Sequence, residues 1–128
     1  MRTTISLVCL TLAACGQRSA FVDHSTPLNA ARSFVEAGRV GDTDAARASV
    51  VAAERNQDIS CDYSEIGHYE LEVAHEFDED HVVVMLRTGP IESPLACQRE
   101  GGRWGVSLFG TLELMQQQMS GSAGAAPR

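Results

Sequence analysis

The chain has 128 residues, enough for one domain and too few for two. Apolar residues make up 44% but aromatic residues only 5%, so any core must be built from Val, Leu, Ile and Ala. All ten basic residues are Arg, set against seventeen carboxylates for a net charge of −7; the absence of Lys excludes Schiff-base and lysine-base chemistry, and the acidic balance argues against nucleic acid as a partner.

Met1-Arg2-Thr3-Thr4 is a short positive start, Ile5 to Leu12 is apolar apart from Ser6 and Thr11, and Ala13-Ala14-Cys15-Gly16 is small. This is the order of a secretory signal, with an apolar part too short to span a bilayer. Leu12-Ala13-Ala14-Cys15 resembles the lipobox of bacterial lipoproteins. The resemblance implies a signal peptide over 1–14, diacylglycerol on the Cys15 thiol, cleavage before Cys15 and acylation of the new amine. Gly16 rather than Asp follows the cysteine, which in that family's sorting pattern implies the outer membrane, facing the periplasm. Ordinary cleavage nearby, leaving a soluble protein, is the alternative. Loss of Arg2 takes the charge from −7 to −8, so an acidic body is expected to stand off from an anionic bilayer. Residues 15–25 read as a tether, and its ten residues from Gly16 can extend to about 33 Å.

A single domain is expected over 26–119. Thr26-Pro27 is an N-cap followed by proline at the first helical position. Leu28, Ala31, Phe34 and Val35 follow at helical spacing, with Arg32, Glu36 and Arg39 on the other side, and Gly41 ends the helix. Asp42 or Thr43 caps a second, Ala-rich helix expected to run through Glu54 and to pack on the first as a hairpin. From His68 to Phe77 the period becomes two, with Tyr69, Leu71 and Val73 on the buried face. Asp78-Glu79-Asp80 is a turn, and His81 to Thr88 is a central strand. Gly89-Pro90 and Ser93-Pro94 bracket a loop. Leu95 to Glu100 and Arg103 to Leu108 form a hairpin about Gly101-Gly102. A short closing helix begins at Gly110-Thr111 with Leu112, Met115 and Met119 on one stripe, and 120–128 reads as a disordered tail. The fold class is α+β: an N-terminal helical hairpin on a four-stranded antiparallel meander with a short C-terminal helix, in two layers.

Ten carboxylates between Glu54 and Asp80, against Arg55 alone, read as a solvated face. With Cys9 lost in the signal and Cys15 lipidated, Cys61 and Cys97 remain. In an oxidising compartment an even remainder suggests a disulfide, which would close a 37-residue loop and stabilise by about 3–4 kcal/mol. A reactive or metal-binding thiol is the rival, without CxxC or zinc spacing to support it.

Ala31-Phe34-Ala37, the Gly41-Asp42 link and Gly101-Gly102 with Trp104 resemble small exported bacterial proteins of the cystatin-like or nuclear-transport-factor-two-like cone group, over about residues 26–109. Enzymes of that group use an Asp–His or Asp–Tyr pair inside a pocket. His75 and His81 flank the Asp78-Glu79-Asp80 turn, but a hairpin tip is exposed, and neither a catalytic site nor a metal site is assigned there. No cofactor is expected. Partners are the bilayer, through acylated Cys15, and an envelope protein. The expected function is therefore a non-catalytic binding or accessory module of the cell envelope. The alternative is a small-molecule-binding or hydrolytic protein with an ionisable residue buried beneath Phe34, Tyr69 and Trp104.

Overall fold

The computed structural model describes residues 18–57 and 62–125, with side chains through residue 119. Among the described residues three α-helices and four strands follow in the order α1 (Pro27–Val40), α2 (Thr43–Ala48), a 3-10 turn (Ala52–Glu54), β1 (Glu70–Asp78), β2 (His81–Thr88), β3 (Ile91–Glu100), β4 (Arg103–Ser107) and α3 (Leu108–Ala125). The strands form one antiparallel sheet in the order β1-β2-β3-β4. The α+β class and the four-stranded meander are as expected.

Helix α1 has the predicted ends. Thr26 Oγ1 accepts the N–H of Asn29 at 3.1 Å, Pro27 opens the helix, and Gly41 closes it at φ +72°. The N–H groups of Gly41 and Asp42 both return to the Ala37 carbonyl, the left-handed ending that glycine adopts without a Cβ clash. The apolar face of α1 buries Ala30, Ala31, Phe34 and Val35 against Val82, Val84, Leu86, Leu95, Cys97, Trp104 and Val106 of the sheet. Each large side chain so buried contributes about 1.5–3 kcal/mol.

The second helix is shorter than expected. It is capped by Asp42 Oδ1, which accepts the Ala45 N–H at 3.1 Å, but it stops at Ala48. Ser49 Oγ bonds back to the Ala45 carbonyl at 2.9 Å, and the chain then turns to meet β4. Val51 N–H donates to Val106 O at 3.0 Å and Val106 N–H donates to Ser49 O at 2.8 Å, a parallel bridge that covers the β4 edge. Buried β-branched Val50 and Val51 gain more from this pairing than from helical propensity. Gly105 permits the approach, since a Cβ there would lie 3.1 Å from the backbone of Val50 and Val51.

Strand β2 matches its prediction, with Val82, Val83, Val84 and Leu86 buried. Strand β3 does not. It starts at Ile91 and runs through Pro94, so only Gly89-Pro90 forms the connection expected to fill 89–94. Proline is tolerated because Ala96 N–H, two residues on, points away from β2 to Thr111 Oγ1. Pro94 presents its missing donor on that same side, beyond the end of β4. The Gly101-Gly102 turn has positive φ at both residues, as foreseen. Strand β1 keeps Leu71 half-buried, but register shifts after Val73 and Glu76 break the alternation, and Val73 is exposed.

Helix α3 lies on the other face of the sheet. Ala96 pairs with Val83, and both side chains alternate away from those facing α1. A Cβ on Gly110 would fall 3.0 Å from Ala96 Cβ, so the helix crosses β3 at van der Waals distance. The domain thus has three layers, not the expected two. The helix begins at Leu108 and continues to Ala125, into the segment expected to be a tail. Leu112, Met115 and Met119 are the residues read as one stripe of this helix. They are exposed together with Phe109, while Gly110 and Leu114 face the sheet side.

The segment expected to be a tether is docked over its described part, 18–25. Ser19 N–H donates to Asp42 Oδ2 at 2.9 Å. Asp23 and Ser33 clip together, with Asp23 N–H to Ser33 Oγ at 2.8 Å and Ser33 Oγ to Asp23 O at 3.0 Å. His24 O accepts the Trp104 N–H at 2.9 Å.

Candidate functional site

Arg32, Glu36 and Arg39 stand at i, i+4 and i+7 on α1 and so share one flank of it. Tyr69, just before β1, lays its ring between them. The guanidinium carbons of Arg32 and Arg39 lie 5.7 and 5.8 Å from the ring centroid. The Tyr69 hydroxyl donates to the Glu36 carboxylate, which also takes Arg39 Nη1 at 3.1 Å. Arg32 is in turn 5.9 Å from the Phe21 ring of the docked segment 18–25, which forms a strap along α1. Burial, then the bond to Glu36, pushes the Tyr69 hydroxyl up to about 12. Burial raises the Glu36 carboxyl, but Tyr69 and Arg39 outweigh it and leave its pKa lowered. At neutral pH the pair is therefore a fixed phenol and carboxylate rather than an acid–base couple. The cluster borders a cleft of about 390 Å³ whose other wall is Gly67 and His68. Guanidinium forks over an aromatic ring suit an oxyanion.

A second cleft, of about 260 Å³, lies between the outer sheet face and α3. Phe77, Val83 and Leu114 give it apolar walls, and His81, Gln98 and Glu113 polar ones. His81 Nδ1 is engaged with Asp78 Oδ1 at 2.8 Å, a bond that holds the Asp78 carboxyl below its ordinary value.

Cys15 and Cys61 lie outside the described residues. Cys97 does not: its side chain lies on the inner sheet face, 1% exposed, with Sγ 3.7 Å from Pro27 O. Burial pushes it up to about 12. His75 packs edge-on against Phe77 at 4.3 Å, while His81 is engaged with Asp78. Among the described residues no group of three His, Cys, Asp or Glu side chains is placed to hold a metal ion. His68 is exposed, 3.8 Å from Glu70.

Three groupings were not foreseen. Glu54, counted among the solvated carboxylates, is buried: it accepts Ser107 Oγ at 2.7 Å and the N–H groups of Leu108 and Phe109 at the start of α3. His24, placed in the tether, accepts Arg103 Nη2 at Nδ1 and donates from Nε2 to Ser49 Oγ, both at 3.2 Å. The Arg32–Tyr69–Arg39 cluster was half visible as the i, i+4, i+7 charges, but nothing in the sequence placed Tyr69 among them.

No family model matches the chain, and neither a curated protein nor a solved structure matches it.

Proposed function

We propose that the protein is an exported lipoprotein, anchored through acylated Cys15, whose folded body is a non-catalytic binding or accessory module of the cell envelope, at the periplasmic side of the outer membrane. The observation that carries the non-catalytic reading is the filling of the inner sheet face. Of the three residues named for that pocket, Phe34 and Trp104 lie in a core cluster with Ala31, Val35, Val84 and Val106 and no carboxylate or imidazole, and Tyr69 meets Glu36 at its half-buried margin. The single helix laid along a four-stranded meander is compatible with the cystatin-like cone resemblance, and α3 on the outer face departs from it. The short α2 turns back against α1 as a reduced form of the helical hairpin. No helix among the described residues is long and apolar enough to cross a membrane, so on this reading the acyl chains supply the attachment.

Cys15→Ala tests the anchor. The exported variant is expected in the soluble fraction; a variant that still sediments with membranes contradicts it. A second reading, a small-molecule binder, is favoured by the cleft under α3, where Phe77 is 61% exposed beside His81 and Glu113. Loss of chemical-shift changes in Phe77→Ala, after they are seen in wild type with a small-molecule panel, would support it.

A further inference from the structure

The docked strap changes where the folded body sits, if Cys15 carries lipid. Only Gly16 and Gln17 separate Cys15 from Arg18, and Ser19 is already bonded to Asp42 at the carboxyl-terminal end of α1. Four steps of chain, Cys15 to Ser19, span about 14 Å at most. The tether is thus less than half the length its sequence suggested, and the end of the domain carrying Asp42 is the one nearest the anchor. On that side the strap exposes Arg18 and Val22, and the flank of α1 presents Arg39 and Arg32 with Phe21 and Tyr69. Arg32 is held by two aromatic rings and, among the described residues, forms no ion pair with a carboxylate. Within the cluster two guanidiniums meet one carboxylate, Glu36, and Asp42 lies at the same end of α1. Strand β1 starts beside Tyr69 and carries the chain about 26 Å to the Asp78-Glu79-Asp80 turn.

We propose that Arg32 and Arg39, on either side of Tyr69, are a docking surface for the phosphate headgroups of the bilayer that holds the anchor. This rests on the lipoprotein reading. The reach of the strap brings the surface to the headgroups. Arginine forks match phosphate oxygens, and aromatic side chains settle at the membrane–water interface. The Asp78-Glu79-Asp80 turn lies at the far end of β1, so its three carboxylates are removed from the contact. An unfavourable overall charge and a cluster with one net positive charge, two guanidiniums against Glu36, together orient the body rather than bind it tightly.

The test separates this surface from the anchor by removing the lipid. The mature chain, Cys15–Arg128 with Cys15→Ser, keeps every described contact. It is floated at low salt with phosphatidylglycerol vesicles and with phosphatidylcholine vesicles. Binding to phosphatidylglycerol only is expected, weakening about fivefold in Arg32→Gln and about 25-fold when Arg39→Gln is added, from about fivefold per charge near an anionic surface. Arg99→Gln, at the far end of the sheet beside Asp80, is expected to bind like wild type. The far-UV circular dichroism of each variant reports that it is folded, since Arg99 lies over the Trp104 ring and its removal alone would alter indole emission. Equal binding to both vesicles, no binding to either, or a loss as large in Arg99→Gln as in Arg32→Gln overturns the proposal. None of these outcomes depends on whether Cys15 is acylated, which its mass reports separately.

Discussion

Glu54 Oε1 and the backbone N–H of Leu108 meet at 2.5 Å, tying the 3-10 turn after α2 to the first turn of α3. The other oxygen of the carboxylate holds Ser107 Oγ at 2.7 Å. A helix start carries unpaired N–H groups and a partial positive charge, so a buried carboxylate there is satisfied as well as satisfying. Glu54→Ala removes the acceptor and leaves buried donors behind. A loss of about 2–3 kcal/mol in urea unfolding, at unchanged m, is expected. Glu54→Gln, which keeps an oxygen in place, is expected to lose about half as much. Equal stability of Glu54→Ala and wild type would show that α3 does not depend on this cap.

The Asp23–Ser33 clip holds the strap to α1 with bonds in both directions. Ser33→Ala is expected to cost about 1–2 kcal/mol. Hydrogen exchange should rise selectively in 18–25, with the β2 and β3 amides still protected. Exchange that is already fast in wild-type 18–25 would mean that the strap is a tether after all.

His24 gives a pH dependence with a definite sign. Burial, then the Arg103 guanidinium, lowers its pKa below the ordinary 6.5. The folded state therefore binds fewer protons than the unfolded chain in the window just below 6.5. Its stabilisation is full above that value and is lost as pH falls. The hydrogen bonds agree, because Nδ1 faces a donor and cannot carry a proton without opposing Arg103. Stability should decline from about pH 7 to 5 in wild type and decline less in His24→Asn. The lowered carboxylates, Asp23 and Asp42 among them, act at lower pH, where their stabilising bonds are lost on protonation. A slope between pH 7 and 5 that is unchanged in His24→Asn would remove His24 as its source.

The legible parts of the fold were those that local chemistry decides. Thr26-Pro27 and Gly41 bound α1, and two glycines at 101 and 102 supply positive φ, whatever the rest of the chain does. The misread parts answer to distant residues. Helix α2 stops because Val106, 56 positions beyond Val50, takes the backbone into a bridge. Pro94 looks like a loop residue until the short β4 leaves its side of β3 unpaired. Glu54 looks solvated among its acidic neighbours because its partners, Ser107 and Leu108, follow it by more than fifty residues. Of the candidate sites, the charges on α1 were visible, and the ring that organises them was not.

Cys97 supplies a test of the bridge to Cys61. A thiol 1% exposed and pushed up to about 12 should resist alkylation in the native protein. In protein taken from an oxidising compartment and denatured without reductant, a Cys61–Cys97 pair predicts that neither cysteine is labelled and that reduction exposes both. Labelling of both before reduction would show that no bridge forms.

The intact mass of the protein purified from its native membrane bears most directly on the lipoprotein assignment. A chain beginning at Cys15, with a diacylglycerol on the sulfur and an acyl group on the amine, is the expected product. A chain with an unmodified Cys15, or one whose first residue lies beyond it, would contradict the anchor and with it the envelope role.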